Sequence, residues 1–575
     1  MPIDPQHAYE QARVLLDQKR WADAWPWLEK VINAYPDVPE LRIAAAQCRE
    51  RVAFGEPLLH EGGFNQARYR YWIEHHEPAL PAASLPLMHD WWEVRADPQG
   101  DPQWFPLHGG CVQSADQWPA MGWLVLRHPG CALRAGALQQ LEDVLRSALP
   151  SAAADPHLIS TDEDCIDAQG QRCDPWLKPG LTPESFWSSP WLEGLSVWRI
   201  SWLRTQGLPL PPLDLDQRWA WLLQALSRNP RPWHCPQVLA HWRGGEPRLS
   251  ESQQRWRAVA LGAALQRQGE AVLAVEPHAS QSGCFQLQWA LPAAQRCCVV
   301  IPTRDRSDLL EACLESVWRS RGLGHNALEL ELLVVDNGSQ EEATEALLRR
   351  WQLGLPDQFR VLRDERRFNW SQLNNSAAAL SSSELLLFLN NDVEALEAGW
   401  LEAMAAQALR PAVGCVGAVL LYPNRTIQHA GVILGYHGGA DHAYTALPYP
   451  NPVHRGRTQL LTTWGAVTGA CLMVRRPLFE QLGGFDEGLP VEFNDVEFCL
   501  RSGQLGYRHV VVPEAVLLHH ESQTRDARRS STHDAALKRM QQLWKVHLQS
   551  TDPWWPAACS PSWWDGRPRG LEELL

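Results

Sequence analysis

The residues LLLFLNND, Leu385 to Asp392, form a short apolar run that stops at a polar cluster. Apolar runs of roughly four to eight residues are typical of buried parallel strands, which deliver side chains to the carboxyl edge of an α/β sheet. Ligand and metal sites collect at that edge. Asn390, Asn391 and Asp392 are therefore the first candidate site residues.

The segments upstream of this run alternate between strand and helix patterns. Residues 298–301 have a strand pattern, Ser307 follows as a helix cap before the helical pattern of residues 308–319, and residues 328–335 have the next strand pattern. Such alternation predicts a parallel, doubly wound sheet. We therefore expect an α/β domain over residues 293–548.

Polar side chains also follow the first two strands of this domain. The first strand ends in Pro302 and Thr303, with Asp305 just beyond, and the second ends in Asp336 and Asn337. Adjacent parallel strands bring these residues to one sheet edge, where they can hydrogen-bond a base and a ribose. The pair predicts a nucleotide pocket, although either motif alone is weak because Asp-Asn-Gly is an ordinary turn.

The segment FNWSQLNNSAAA, residues 368–379, places Asn369, Asn374 and Asn375 where a helix opens toward the same edge. Their amides could hold a sugar or a diphosphate, and Asn375 is the candidate donor contact. Asparagines that begin a helix are also common caps. Both interpretations stay open at this stage.

The segment FNDVEFCLRSGQLGYRHVVVPEAVLLHHE, residues 493–521, carries Asp495 and Glu497 on a short helix and ends an apolar strand in His519 and His520. Such a carboxylate pair can serve general acid–base chemistry or form structural ion pairs, and Asp495 is the candidate site residue of the pair. Glu497 points elsewhere on the helix and should orient an acceptor hydroxyl or form a structural ion pair. Strand alternation turns one histidine inward, and position favours His519 as a site residue over a buried core histidine.

Composition narrows the class of protein further. The 575 residues carry a formal charge of −14, which argues against nucleic acid as a partner because phosphates require a basic face. No stretch approaches the roughly 20 apolar residues of a membrane span, and the N-terminus lacks a signal pattern. Fourteen scattered cysteines without CxxC spacing indicate reduced thiols. We expect a cytoplasmic protein.

The region from residue 296 to about 525 resembles a family 2 glycosyltransferase of the GT-A fold, of the kind found in bacterial O-antigen and polysaccharide assembly. The resemblance is carried, in family order, by VVIPTRDRSDLLEACLESV, LLVVDNGS, FNWSQLNNSAA, LLLFLNNDVE, GAVLLYPNRTIQHAGV, VTGACLMVRR, GGFDEGLPVEFNDVEFCLR and PEAVLLHHES. It implies an α/β fold with a doubly wound mixed sheet. It also implies that Asp392 and His519 hold Mg²⁺ or Mn²⁺ and that Asp495 is the base of an inverting displacement.

Two further features follow from the resemblance. Trp464 and Gly469, in the segment WGAVTGAC, resemble the acceptor-side wall of such enzymes, where an aromatic face stacks on a sugar and Gly admits close approach. The usual acidic triplet reads Asn390, Asn391, Asp392 here. A single carboxylate lowers metal affinity, so we expect the ion to bind mainly with the donor.

Residues 56–292 read as another α/β domain and resemble a degenerate relative of the same fold. Where an acidic metal motif would stand, the chain has RHPG, residues 127–130. Asp216 and His241 match the base and histidine positions, but without a metal strand they are poor support for activity. We expect an inactive scaffold or an acceptor-binding domain.

The two ends of the chain have patterns of their own. Residues 1–55 resemble one tetratricopeptide repeat with a fragment of a second. A lone repeat cannot bury its own face, so it should dock on the next domain or on a protein partner. Residues 549–575 form a Trp- and Pro-rich tail, for which plain packing, domain docking or contact with a membrane surface stay open.

Together these patterns predict an enzyme that moves a sugar from a nucleotide-diphosphate donor, of the UDP or dTDP type, to a glycan acceptor in cell-surface polysaccharide assembly. A lipid-linked glycan acceptor would bring the protein to the inner face of the cytoplasmic membrane as a peripheral protein. The alternative is a non-catalytic scaffold or glycan-binding protein, favoured by the asparagine-rich metal motif. A sugar nucleotidyltransferase is disfavoured because its Gly-rich, Lys-bearing phosphate loop is absent from the sequence.

Overall fold

Two α/β domains, each built on a mixed sheet, follow a pair of N-terminal helices in the computed structural model. The structure describes residues 5–35, 41, 44–45, 48–49, 51–52, 66–81, 87–108, 111–114, 118–147, 156–322, 328–520, 531–561 and 563–569. No helix among these residues is long and apolar enough to cross a lipid bilayer.

The first domain contains a nine-stranded sheet and a separate hairpin. Its strands are β1 Trp91–Ala96, β2 Pro102–Pro106, β3 Gln113–Ser114, β4 Trp123–Arg127, β5 Cys131–Leu133, β6 Leu158–Ile166, β7 Arg172–Trp176, β8 Leu195–Arg199 and β9 Pro232–Arg243, with the hairpin β10 Val272–Pro277 and β11 Phe285–Trp289. Its helices are Ala137–Ser147, Pro183–Ser188, Ile200–Thr205, Leu215–Leu226 and Glu251–Arg267, preceded by Gln66–His75.

The second domain contains a ten-stranded sheet. Its strands are β12 Arg296–Thr303, β13 Glu329–Asp336, β14 Phe359–Arg363, β15 Leu385–Leu389, β16 Val393–Ala395, β17 Val413–Leu421, β18 Ile427–His429, β21 Thr462–Trp464, β22 Cys471–Arg475 and β23 Arg508–His519, and β19 Val432–Leu434 pairs separately with β20 Ala440–His442. Its helices are Ser307–Ser320, Glu342–Gly354, Trp370–Ala378, Trp400–Ala408, Arg476–Gln481, Asn494–Gln504 and Ser531–Gln549, with short turns at Tyr436–Gly438, Val453–Gly456 and Arg457–Gln459.

The strand order of this sheet is β14-β13-β12-β15-β22-β17-β23-β16. The first four strands are parallel, and all five residues of β15 are buried, as its apolar run predicts. β22 runs antiparallel to both β15 and β17, so the sheet is mixed rather than purely parallel. The prediction of an α/β domain with a doubly wound mixed sheet is confirmed.

The sheet of the first domain repeats the central pairing of the second. β1–β4 is parallel, β4–β8 and β8–β6 are antiparallel, β6–β9 is parallel, and β9–β5 is antiparallel. The second sheet has the same succession in β12–β15, β15–β22, β22–β17, β17–β23 and β23–β16. The six corresponding strands also appear in the same order along the chain, so the end of each of these strands has a counterpart in the other domain.

A buried ion-pair cluster joins the two domains. Glu184 of the first domain is 0 % exposed and accepts hydrogen bonds from Arg410 at 3.0 Å and from Arg508 at 2.9 Å, both in the second domain. Burial raises the pKa of Glu184, but the two guanidinium groups outweigh this effect and lower its pKa to about 2. The carboxylate is therefore charged and paired across the interface.

The chain ends pack against the domains. The backbone N–H of Gly180 donates to the Pro553 carbonyl at 2.8 Å, and Arg457 donates to the Trp554 carbonyl at 2.6 Å, so the tail contacts both domains. Arg49 lies over Trp25 at 4.0 Å and over Trp563 at 5.5 Å, which connects the N-terminal helices Pro5–Asp17 and Trp21–Ala34 to the tail. Parts of the predicted repeat, such as residues 1–4, 36–40 and 53–55, lie outside the described residues.

Candidate active site

The carboxyl ends of β12, β13 and β15 meet at one edge of the second sheet. Thr303, the last residue of β12, is the register partner of Asp336, the last residue of β13. The Asn391 side chain follows β15 and donates to Thr303 Oγ1 at 2.9 Å. Pro302 is buried in β12 beside Thr303, so four of the predicted donor-site residues lie at the same edge.

Asp305 positions the loops around this edge. Its Oδ1 accepts hydrogen bonds from the backbone N–H groups of Gln340 at 2.6 Å and Glu341 at 2.9 Å. The bonds from Glu341 and Gln340 lower the pKa of Asp305, which keeps it charged. Asp305 and Arg306 both have φ above +50°, a left-handed conformation that non-glycine residues adopt at a cost and that is often found at functional loops.

Asp336 and Asn337 continue the same edge. Asp336 accepts a hydrogen bond from the Ser339 N–H at 2.9 Å and forms an ion pair with Arg363. Asn337 donates its two amide hydrogens to the carbonyls of Asp364 and Arg366, at 2.9 and 2.8 Å. Its Oδ1 is buried and has no hydrogen-bond partner among the described residues, which leaves an unsatisfied acceptor at the predicted donor site.

Asp392 and His519 meet on neighbouring strand ends. β16 pairs antiparallel with β23, and Val393 is the register partner of His519, so Asp392 lies beside the histidine. His519 Nε2 is 3.1 Å from Asp392 Oδ1, and the two side chains are 7 % and 10 % exposed. His520 turns the other way and pairs with Glu394 at 2.7 Å, as strand alternation predicts.

Gln428 fixes the orientation of the His519 ring. Gln428 Oε1 lies 2.6 Å from His519 Nδ1 and can only accept, so Nδ1 carries the proton in this arrangement. The Nε2 lone pair of a neutral ring then faces the Asp392 carboxylate, and two acceptors at this separation require a cation or a proton between them. Carboxylate oxygen and imidazole nitrogen are both ligands of Mn²⁺ and related ions, so this donor set fits a divalent cation.

Asp495 lies in the first turn of the helix Asn494–Gln504. Its Oδ2 accepts a hydrogen bond from the Gly469 N–H at 2.6 Å, and its Oδ1 accepts one from the Val496 N–H at 2.7 Å. A Cβ added to Gly469 would lie 3.4 Å from the Asp495 Cβ, so the predicted close approach at this glycine is present. The carboxylate is half-buried, a setting that suits a general base.

Trp370 connects the candidate base to the candidate metal ligands, a role that the sequence did not indicate. Its Nε1 donates to Asn390 Oδ1 at 3.3 Å, and its ring would lie 3.1 Å from a Cβ on Gly469. The backbone N–H of Asn390 in turn donates to the Ala470 carbonyl at 3.0 Å. The strand end that carries Asp392 and the turn that contacts Asp495 are therefore fixed relative to each other.

Two predicted binding residues, Asn375 and Glu497, have structural partners. Asn375 Nδ2 donates to the Phe485 carbonyl and its Oδ1 accepts from the Phe485 N–H, both at 2.9 Å, so its amide holds a turn rather than facing the edge. Glu497 forms a two-oxygen ion pair with Arg501, its shortest contact being 2.7 Å. This is the second of the two roles that its helix position allowed.

The prediction for Trp464 as a sugar-stacking wall needs a correction. The side chain is 0 % exposed, and the Arg457 guanidinium covers its ring at 3.8 Å. A Cβ on Gly431 would lie 2.0 Å from the same ring, so the backbone at Gly431 also packs directly against the ring. Because Arg457 and Gly431 cover the ring, Trp464 is packed in the core and has no exposed face on which a sugar could stack.

Comparison with known proteins assigns the second domain. Residues 298–483 match the model of the family described as Glycosyl transferase family 2. These residues include β12 to β15 and β22, together with Asp392 and Gly469, while Asp495 and His519 lie just beyond them. The second α/β domain therefore contains a family 2 glycosyltransferase region, as its motifs predict.

Three curated proteins illustrate the relatives of this chain. The "Uncharacterized protein y4gI" of Sinorhizobium fredii is 34 % identical over 410 residues, covering 68 % of this chain and 44 % of that protein. The "O-antigen biosynthesis protein RfbC" of Myxococcus xanthus is 35 % identical over 377 residues, covering 64 % and 29 %. The "N-acetylglucosaminyl-diphospho-decaprenol L-rhamnosyltransferase" of Mycobacterium tuberculosis is 25 % identical over 247 residues, covering 40 % and 78 %. The chain spans less than half the length of the first two relatives.

Solved structures overlap the chain in part. GalNAc-T7 with UDP, GalNAc and Mn²⁺ has a TM-score of 0.38 at 16 % identity, covering 48 % of this chain and 52 % of its own. The mannosyltransferase PcManGT from Pyrobaculum calidifontis, in complex with GDP-Man and Mn²⁺, has a TM-score of 0.31 at 20 % identity, covering 45 % and 66 %.

Proposed function

We propose that this chain is a metal-dependent, inverting glycosyltransferase that moves a sugar from a nucleotide-diphosphate donor to a glycan in cell-surface polysaccharide assembly. The observation that carries the proposal is the connected set Asp495, Gly469, Asn390 and Asp392. It holds a candidate base and a candidate metal ligand on one rigid frame, at the sheet edge where nucleotides bind. The family assignment of residues 298–483 supports the same reaction class.

The donor nucleotide would lie across the ends of β12 and β13. Thr303, Asp336 and Asn391 line this edge, and the unsatisfied Asn337 Oδ1 is an acceptor for a donor group of the base or ribose. Asp305 acts here by holding the loop beyond β13 through Gln340 and Glu341. UDP and dTDP are the donor nucleotides that we expect this edge to accept.

Asp495 would take the proton of the attacking acceptor hydroxyl. Its carboxylate is held by two backbone N–H groups, from Gly469 and Val496, so the oxygens are already fixed before the acceptor arrives. Fixed geometry of this kind is how a general base contributes its share of the rate. Attack from the face opposite the leaving diphosphate inverts the anomeric carbon.

Asp392 and His519 would hold the divalent cation, Mg²⁺ or Mn²⁺. A bound cation neutralises the charge that develops on the leaving nucleoside diphosphate. Gln428 keeps Nε2 of His519 available as a ligand by accepting a hydrogen bond from the Nδ1–H group. With one carboxylate in the set, we expect the ion and the diphosphate to bind together rather than in sequence.

The acceptor class is a glycan, and a lipid-linked glycan is favoured. The support is the name of the mycobacterial relative, which acts on N-acetylglucosaminyl-diphospho-decaprenol. A lipid-linked acceptor would require the protein to work as a peripheral protein at the inner face of the cytoplasmic membrane. The N-terminal helices, which contact the tail through Arg49, remain the candidate surface for a protein partner.

The direct test measures release of nucleoside diphosphate and transfer to glycan acceptors from a panel of UDP- and dTDP-sugars with Mn²⁺. Asp495→Asn should lower turnover by about 10² to 10⁴, the usual contribution of a general base. Asp357→Asn, an exposed carboxylate in the same domain, is the matched control and should keep full activity. Unchanged turnover in Asp495→Asn would reject this base, and inactivity of the unmodified chain with every donor would favour the scaffold alternative.

A further inference from the structure

The first domain has the same backbone pairing at the strand edge that corresponds to the candidate metal site of the second domain. In the second domain, the His520 N–H donates to the Asp392 carbonyl at 2.9 Å and Val393 pairs with His519. In the first domain, the Arg243 N–H donates to the Gly130 carbonyl at 3.0 Å and Cys131 pairs with Trp242.

This correspondence shows which residues replaced the metal ligands. Gly130 stands where the second domain has Asp392, and Trp242 stands where it has His519. The sequence-based match of His241 to the histidine position is therefore wrong by one residue, because strand alternation turns His241 toward its ion pair with Asp164. The first domain lacks both side chains that could hold a cation at this edge.

Arginines occupy the same edge instead. A cavity of about 350 Å³ lies there, lined by Arg95, Leu107, Arg127, Pro129, Cys131, Ala132, Leu133 and Arg243. Its volume is within the range of about 300 to 1,000 Å³ that is usual for small-ligand sites. The cavity therefore lies at the position that corresponds to the donor site of the second domain. Its lining is basic, although the net charge of the chain is −14.

The charges in this cavity do not cancel. Glu93 pairs with Arg127 at 2.8 Å and with Arg95 at 2.5 Å, so one carboxylate faces two guanidinium groups. Arg127 is further fixed by donating to the Cys131 carbonyl at 2.6 Å. The Arg243 guanidinium is exposed and makes no hydrogen bond or ion pair with another described residue. Three cations against one anion leave a net positive cavity with one guanidinium group available to a ligand.

We propose that this cavity binds a diphosphate group directly, with arginine side chains in the place of a divalent cation. Guanidinium groups match phosphate oxygens with paired N–H donors and stay charged at every physiological pH, so they can hold such a group without metal. The diphosphate can come from a nucleotide or from a lipid carrier of the glycan, since both present the same oxygens. The inference stands apart from catalysis by the second domain and does not require it.

The test is calorimetric titration of the full chain with inorganic pyrophosphate in EDTA, repeated with UDP and with geranyl diphosphate. Binding without metal is the expected result. Arg243→Gln should weaken it by at least about tenfold, the loss expected for one charge-assisted hydrogen bond. Arg255→Gln is the matched control, because this exposed arginine of the same domain pairs only with the surface residue Glu251 among described residues.

Two further variants show whether pyrophosphate binds in the cavity of the first domain or in the second domain. Asp392→Ala should leave metal-free pyrophosphate binding unchanged, and the double variant Arg95→Gln/Arg243→Gln should abolish it while circular dichroism and the melting temperature show an intact fold. Tighter binding of UDP or of geranyl diphosphate than of pyrophosphate would support the proposal and identify the source of the group. Absence of pyrophosphate binding in EDTA, or binding that both arginine variants retain, would overturn it.

Discussion

Asp495 Oδ2 accepts a hydrogen bond of 2.6 Å from the backbone N–H of Gly469. This bond joins the first turn of a helix to the turn that precedes β22, and the next residue of that turn, Ala470, accepts a hydrogen bond from Asn390 at 3.0 Å. A carboxylate proposed as the base and a strand end proposed to bind metal are thus held by two consecutive residues of one turn. The position of the base depends on this turn as much as on the helix.

Gly469→Ala should reduce turnover while the protein stays folded. The added Cβ would lie 3.1 Å from the Trp370 ring, which is tighter than ordinary contact, so the turn that binds Asp495 or the Trp370 ring must shift. Displacement of a catalytic group by about 1 Å can cost about 100-fold in rate, and we expect a loss of that order in kcat. Steady-state kinetics measure it, with Gly354→Ala, where a Cβ meets nothing within 4 Å, as the control. A kcat equal to that of the unmodified chain would show that Asp495 does not need this turn.

Gln428→Met should weaken the metal site without removing a metal ligand. Loss of the acceptor for His519 Nδ1 frees the ring to rotate and to change tautomer, and such outer partners typically contribute about 10- to 100-fold to metal affinity. The Mn²⁺ concentration needed for half-maximal nucleotide binding should rise by that factor. His520→Gln is the control, since His520 pairs with Glu394. An equal effect of both variants would argue against His519 as the ligand.

Glu497→Gln separates the two roles open to this residue. Its side chain is 6 % exposed and bound to Arg501, so the variant should lower the free energy of unfolding by about 2 kcal/mol, as expected for hydrogen bonds to a charged group. The KM for the acceptor should not change. Denaturant unfolding and acceptor kinetics on the same variant decide the point, because a raised KM with unchanged stability would assign Glu497 to the acceptor site instead.

The Glu184 cluster predicts how the joined domains respond to acid. Its pKa in the folded chain is about 2, below the ordinary value of 4.5, so its contribution to stability is fully present above about pH 4.5 and is lost as the pH falls toward 2. Glu184→Gln removes the carboxylate from the buried Arg410, which keeps Glu270 as a partner, and from the partly exposed Arg508, so it should cost about 1 to 3 kcal/mol at neutral pH.

Thermal melts across pH measure this contribution. The difference in melting temperature between the unmodified chain and Glu184→Gln should be largest at neutral pH and should shrink between pH 4.5 and pH 2. Glu251→Gln, whose surface pair with Arg255 is exposed, is the control and should melt as the unmodified chain does. A difference that stays constant across this window would mean that Glu184 is not the group that titrates.

Local sequence patterns were sufficient for the strands and for the residues at their ends. The five apolar residues of β15 predicted a buried strand, and all five are buried in the sheet. Asp392 lies at the edge of the sheet because it follows this strand. Strand alternation also predicted that His519 and His520 face opposite sides, and His519 contacts Asp392 while His520 contacts Glu394. These features depend on periodicity, which a single sequence carries.

Features that depend on tertiary contacts could not be predicted from local sequence patterns. Nothing in the sequence marks Trp370 as the link between Asn390 and Gly469, because the contacts join residues far apart in the chain. Trp464 has the same side chain as a sugar-stacking residue, and only the packing of Arg457 and Gly431 on its ring shows that it is buried. The correspondence of Trp242 to His519 could be recognised only from the pairing of β5 with β9 in the structure.

The central claim is that Asp392 and His519 hold a cation through which the second domain binds a nucleoside diphosphate. Isothermal titration calorimetry with UDP, dTDP and GDP, each in Mn²⁺ and in EDTA, tests it on the unmodified chain and on Asp392→Ala. We predict Mn²⁺-dependent binding of UDP or dTDP that Asp392→Ala removes. This component is separate from any metal-free binding in the first domain, which Arg243→Gln weakens. Nucleotide binding that is equal in Mn²⁺ and EDTA, or an Mn²⁺-dependent component of binding that survives in Asp392→Ala, would contradict the account.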